Sequence, residues 1–465
     1  MDHAIIIGGS MAGLLCARAL AEHCGQVTIV ERDSFPGAVE NRRGVPQGRH
    51  THAILASGRN VIEEFFPGIS SELIRDGGVA GDISQDARWF IGGGTLVRFK
   101  TGLEGLLVSR PFLETAVRGK VLAIPNVQVR ENTVVDGLAG NADQSRVTGV
   151  RIGPETFLAD LVVDATGRGS HSPQWLESMG YPKAPEERVE VALAYTTRLF
   201  KRSGEELGGA GAVVIPPEPE GKRGGVMLAQ EGGRWTVTLI GHFGQRSPEE
   251  LDGFLEYARS LPASYIYDVI REAEPIGEPI SARFPASLRR RYEKLQRFPE
   301  GYLVFGDAIS SFNPIYGQGM SVSALEAAAL AEVMSQGTRD LARRFFERAA
   351  KVVDIPWSIA VGNDLRMKET VGPRNAGVSF INWYMSKLHH AAHREPVAAM
   401  AFHNVGNLLA PPPSVMHPRV MWRVLMGNLR SRGDSLPDEA GKRAVFADSG
   451  NRKDLVVHDD VDAGR

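Results

Sequence analysis

The segment from Ala4 to Asp33 constrains this chain more than any other. Ala4-Ile-Ile-Ile7 is apolar without alternation, the pattern of a strand covered on both faces of a parallel sheet. Gly8-Gly9-Ser10-Met11-Ala12-Gly13 then turns into an amphipathic helix, Leu14 to about Ala21, and Val27-Thr-Ile-Val30 forms a second strand ending in Glu31-Arg32-Asp33. Strand, helix and strand within about 30 residues make a βαβ unit. A dinucleotide pyrophosphate needs a tight turn, close backbone approach and a helix N-terminus aimed at it. Gly8 and Gly13 occupy the first and last glycine positions, Ser10 replaces the middle one with a small side chain, and Met11 and Ala12 complete the turn. Glu31, with Arg32 beside it, lies 18 residues after Gly13, where an acid accepts hydrogen bonds from adenosine ribose hydroxyls. The unit predicts dinucleotide binding without choosing between FAD and a nicotinamide.

At 465 residues the chain exceeds what one core usually supports, so two or more joined domains are expected. Lys and Arg number 53 against 55 Asp and Glu, a net charge of -2, which argues against nucleic acid as a partner. Cys16 and Cys24 fit neither a disulfide scaffold nor zinc-ligand spacing and read as structural thiols. The first residues are too short an apolar run, and acidic rather than basic, for a signal peptide. No window reaches the roughly 18 apolar residues of a membrane helix, and a cytoplasmic enzyme is the expectation.

The rest of the chain reads as an α/β fold: a Rossmann-like dinucleotide domain, an antiparallel sheet domain and a helical C-terminal region. The first is expected over 1–75, 100–180 and 300–340, the second over 76–99 and 181–299, and the helical region over 341–430, with a polar tail at 431–465. Alternating segments 189–200, 225–230 and 234–240, with the turn Glu231-Gly232-Gly233, give the hairpin grammar of the sheet domain. Ser109-Arg110-Pro111 opens a helix, and Leu158–Gly167 is a buried strand ending in a turn.

A second glycine-rich constellation settles the choice of dinucleotide. Phe305-Gly306-Asp307-Ala308 ends a strand, and Asn313-Pro314-Ile315-Tyr316-Gly317-Gln318-Gly319-Met320 opens the Ala-rich helix that runs to Gln336. A carboxylate at a strand's C-terminal edge suits a polyol such as the ribityl chain of FAD. Glycines let backbone N–H groups face a planar ring, and the helix N-terminus favours negative charge on it.

With these blocks in order, residues 3–370 resemble the single-component flavin-dependent monooxygenases of the para-hydroxybenzoate hydroxylase fold. The resemblance implies that Asp307, Pro314, Gly317, Gln318, Gly319 and Met320 hold the ribityl chain and isoalloxazine. It assigns Arg110, from Ser-Arg-x-x-Leu-Glu, to the cofactor, and either Arg42 or Arg43 in the loop after the second strand. Three further segments are similar to bacterial epoxidases of polyether pathways, of lasalocid and monensin type: Arg43–His52, the Asp164-Ala-Thr-Gly167-Arg-Gly-Ser170 turn, and Thr197-Arg198-Leu199-Phe200.

What this resemblance implies is O2 activation through a C4a-hydroperoxyflavin and transfer of oxygen to a small apolar substrate. The leading expectation is epoxidation of an alkene in a polyketide or isoprenoid precursor. Aromatic hydroxylation on the same scaffold, and an FAD dehydrogenase or reductase, are the alternatives. Family hydroxylases carry Asp-Gly then Ser-x-x-Arg; here two residues separate Asp164 from Gly167 and no arginine follows Ser170 at that spacing. NAD(P)H is therefore expected as donor either directly or through a partner flavin reductase. Tyr195, Arg198, Trp235, Phe312 and Tyr316 are the candidates to line the substrate cavity between sheet and flavin loop. No residue is assigned as a catalytic acid or base. Six of the histidines, His50, His52, His389, His390, His393 and His403, suggest a metal site, but their spacings match no metal-ligand motif.

Overall fold

The computed structural model describes residues 1–430; the tail expected at 431–465 lies outside the described residues. Strand His3–Ile7 is the centre of a five-stranded parallel sheet, in the order Tyr302–Val304, Leu161–Asp164, His3–Ile7, Gln26–Val30, Val127–Arg130. Ala4 through Ile7 are all buried, which explains their unbroken apolar run. Helix Met11–Ala21 packs against both Gly319–Ser335 and Arg110–Leu122. The last of these starts where Ser109 caps it, accepting from the Phe112 backbone N–H at 3.3 Å.

A second sheet has eight strands, in the order Ser310–Ser311, Pro275–Arg290, Glu186–Lys201, Arg234–His242, Arg223–Gln230, Ala212–Ile215, Ala87–Ile91, Gly94–Thr95. All its pairs are antiparallel except Ala212–Ile215 with Ala87–Ile91. The turn Glu231–Gly233 joins two of the long strands. Alternation divides their side chains between two cores. Phe200, Trp235, Val237 and Leu239 pack on one face with Phe254 and Ile266, from helices Leu251–Arg259 and Tyr265–Ile270. Leu193, Tyr195, Ile240 and Phe284 pack on the other with Phe312 and Trp357, the latter on helix Leu341–Asp364.

This alternation corrects two expected cavity residues. Trp235 is fully buried in the first core. Arg198 points to the same side, donating to the Glu249 carbonyl at 3.1 Å with its guanidinium 5.9 Å from the Phe254 ring centre. Strand period 2 sends Tyr195 and Thr197 to one face and Arg198 to the other. Helices Ala376–Ala392, Pro396–Gly406 and Pro418–Arg430 build a further apolar cluster against Ile91 and Leu96. No described helix is long and apolar enough to cross a membrane.

Candidate active site

The two glycine-rich segments, about 300 residues apart in the chain, meet at the C-terminal edge of the parallel sheet, where such sheets offer a crevice. A Cβ on Gly13 would lie 1.8 Å from the Gly8 carbonyl oxygen, so the helix can enter the turn only with glycine there. Gly306, at φ 66°, packs so closely on Ala12 that a Cβ would sit 2.9 Å from the Ala12 methyl.

Around the first turn runs a buried network of charge. Arg42 pairs with Glu31 at 2.7 Å and with Glu114 at 2.8 Å, and also donates to the Gly9 carbonyl at 2.9 Å. Arg110 pairs with Glu114 at 3.0 Å and donates to the Ser10 hydroxyl at 2.8 Å. Glu31 further accepts from the Gly9 N–H at 2.7 Å. Burial alone would raise the Glu114 carboxyl, but Arg110 and Arg42 outweigh it and hold it below the usual carboxylate range. Ser10 is spent on this network and does not cap its helix, so the first-turn N–H groups take no bond from its side chain.

One cavity of about 1420 Å³ runs from this turn across the sheet edge. Its walls include Gly8, Ser10, Met11, Ala12, Glu31, Arg32 and Arg110, then Asp307, Pro314, Gly317, Gln318, Gly319 and Met320, and finally Tyr195, Phe312 and Tyr316. Gly13 and Arg42 stand behind that wall as supports. Arg43 is exposed and off the cavity, so of the two arginines the structure brings only Arg42 to the turn.

Polar groups on the 307–318 side of this wall await a partner. Asp307 has no hydrogen bond among the described residues; burial raises its carboxyl, with Arg110 and Arg168 opposing. The buried Gln318 side-chain oxygen is likewise unpartnered. A polyol and a ring with hydrogen-bonding edges would satisfy both, and the cavity exceeds the roughly 300–1,000 Å³ of an ordinary ligand site. The residues present therefore fit a dinucleotide together with a second molecule.

Sequence reasoning missed several groups. Asn313 and Tyr316 both donate to Asp364 Oδ1 at 2.8 Å, while Asp364 Oδ2 is buried without a partner. Burial pushes this carboxyl up to about 7 against the lowering effect of Tyr316 and Asn313. His50 sits 2.8 Å from the Thr197 hydroxyl and meets the Tyr195 ring edge-on at 4.6 Å. Burial and Arg49 lower its pKa to about 4, so the imidazole is neutral at physiological pH. Glu114 could have been found from its four-residue spacing to Arg110; nothing in sequence signals Asp364.

The fold is that of flavin-dependent monooxygenases. The brominase Bmp2 superposes with a TM-score of 0.65 at 12% identity over 93% of this chain and all of that one. PqsL of Pseudomonas aeruginosa, a probable FAD-dependent monooxygenase, gives 0.59 at 16% over 78% of this chain and 98% of its own. The p-nitrophenol 4-monooxygenase PnpA of Pseudomonas putida DLL-E4 gives 0.59 at 18% over 88% and 99%. At such identities the likeness is one of fold. No family model matches the sequence. Protein Rv3254 of Mycobacterium tuberculosis is 33% identical over 453 residues, covering 92% of this chain and 94% of the relative, and the chain belongs to the family of that protein.

Proposed function

We propose that this protein is an FAD-dependent monooxygenase that inserts one oxygen atom of O2 into an apolar substrate, alkene epoxidation being the leading reaction. The observation that carries the reading is the single cavity shared by the Gly8–Gly13 turn, the 313–320 loop and the apolar wall of Tyr195, Phe312 and Tyr316. In this reading the turn and helix N-terminus take the pyrophosphate, Glu31 the ribose, Asp307 the ribityl chain, and Pro314–Met320 the ring. Bound and reduced, FAD supplies the activation of O2. The protein's own work is to orient the substrate and exclude water. Ile240 and Phe284 line the cavity as well and extend the apolar wall around the alkene. Neutral His50 adds no charge to that wall. The likeness of segments 43–52 and 164–170 to polyether-pathway epoxidases supports the same reaction, since both segments contribute to the cavity. NAD(P)H is the proposed ultimate donor, directly or through a reductase.

Aromatic hydroxylation has one observation in its favour. Asp364, pushed up to about 7 beside Tyr316, is placed to accept a phenolic proton near neutral pH.

The test is turnover under ¹⁸O2 with alkene and phenol panels. One labelled oxygen in an epoxide and the other in water is the expected result. A hydroxylated ring selects the second reading. Substrate oxidation without label would replace both with a dehydrogenase, and a protein that takes up no FAD ends the proposal.

A further inference from the structure

Helix Pro418–Arg430 has apolar residues on two sides. Val420 and Val424 are buried against the cluster that contains Tyr384, Leu388 and Ala391. Met421, Trp422, Leu425 and Leu429, spaced i, i+1, i+4 and i+8, are between 48% and 61% exposed. The neighbouring helix Ala376–Ala392 adds Phe380 and Trp383, 53% and 56% exposed, with ring centres 5.8 Å apart. Asn428 donates to the Lys387 carbonyl at 2.8 Å and Gly427 packs on Ala391, so the two helices run side by side. Exposed apolar clusters of this kind mark interaction surfaces.

The charge of the region identifies the partner. Residues 365–430 contain eight Lys or Arg and two Asp or Glu, in a chain whose net charge is -2. Both acids are already paired, Glu369 with Lys222 and Glu395 with Arg423, and of the cations Arg366 is paired with Glu218. Arg419 and Lys387 are exposed on the same two helices as the apolar residues. Tryptophan and leucine at a surface flanked by basic side chains is the composition of a helix lying in a bilayer interface, where anionic headgroups attract the cations. A second copy of the chain fits less well, because a two-fold contact would set this basic surface against itself.

We propose that helices 376–392 and 418–430 form a docking surface for an anionic phospholipid bilayer. The surface adjoins the cavity: Ile381, exposed on helix 376–392, also lines it with Val378 and Met385. An apolar substrate could thus pass from lipid to cavity along one helix. Docking itself needs neither cofactor nor turnover, so its failure is distinguishable from failure of the monooxygenase reading.

The experiment is flotation of the full chain with vesicles of phosphatidylcholine and phosphatidylglycerol, beside vesicles of phosphatidylcholine alone. Recovery with the anionic vesicles, diminished by salt, is expected. The double variant Trp422→Glu, Leu425→Glu should lose at least roughly tenfold in binding, as should Lys387→Glu with Arg419→Glu. Circular dichroism and the unfolding midpoint verify that these surface variants fold, and Trp383→Gln serves if they do not. Equal recovery with both vesicles, no recovery, or unchanged binding by the variants overturns the proposal. So does a wild-type dimer that Trp422→Glu, Leu425→Glu converts to monomer without any vesicle binding. Vesicle binding only by a chain ending at residue 430 would instead assign the surface to the tail.

Discussion

The hydroxyl of Tyr316 donates to Asp364 Oδ1 at 2.8 Å, joining the 313–320 loop to the end of a helix 48 residues further along the chain. The second carboxyl oxygen has no partner, and burial pushes the group up to about 7. The folded state thus binds a proton that the unfolded chain releases between about pH 4 and 7, so this group lowers stability as pH rises through that window. Asp364→Asn keeps an acceptor for Tyr316 and removes the titration. It should stabilise the protein at pH 8, by up to about 4 kcal/mol, and have little effect at pH 4. Thermal unfolding across that range measures this. A flat difference would place the Asp364 pKa elsewhere.

Arg42 lies between Glu31 and Glu114 with its side chain only 3% exposed. Arg42→Ala leaves two buried carboxylates short of a cation and should cost about 3–5 kcal/mol in denaturant unfolding. FAD uptake should fall with it, because Glu31 would keep only its Gly9 N–H bond to the turn and lose the guanidinium that joins it to the Gly9 carbonyl.

The depressed Glu114 carboxyl acts on stability in the opposite sense from Asp364. Its folded pKa lies below the unfolded value, so its contribution is complete above the ordinary carboxylate range and is lost as pH falls through the folded pKa. Glu114→Gln should therefore flatten the acid limb of the stability curve, read as unfolding midpoints from pH 6 downward, while also lowering stability at neutral pH.

Gly13→Ala would place a methyl where the Gly8 carbonyl oxygen stands. The turn must open to admit it, at a cost of about 1–3 kcal/mol. Visible flavin absorbance after reconstitution with FAD should drop more than stability does, since the pyrophosphate site is the part displaced.

Phe312 and Trp235 form an internal comparison. Phe312 lines the cavity and lies 6.3 Å from Trp357, whereas Trp235 belongs to the core on the other side of the sheet. Phe312→Ala should destabilise by about 3–5 kcal/mol and shift the substrate profile toward bulkier molecules. Trp235→Phe should leave that profile unchanged. A shifted profile in the second variant would contradict the division of faces.

The βαβ unit, the Ser109 cap and the hairpin turn at 231–233 were legible in sequence because each is a local rule: unbroken apolar runs, a capping side chain, glycines where the backbone turns sharply. The same locality let Gly8–Gly13 and Gly306–Met320 be picked out as segments that bring backbone close to a ligand. Which side chains share a cavity is not local. Trp235 and Arg198 looked as suitable as Tyr195, and only the register of the long strands decides which face each residue occupies. Asp364 and Glu114 gain their roles from partners that the chain brings in from 48 and 72 residues away. The apolar stripe on 418–430 likewise reads as ordinary helix until the packing of Val420 and Val424 shows which side is left outside. Sequence set the elements and their chemistry; packing assigned inside, outside and neighbour, because burial depends on residues that no spacing rule connects.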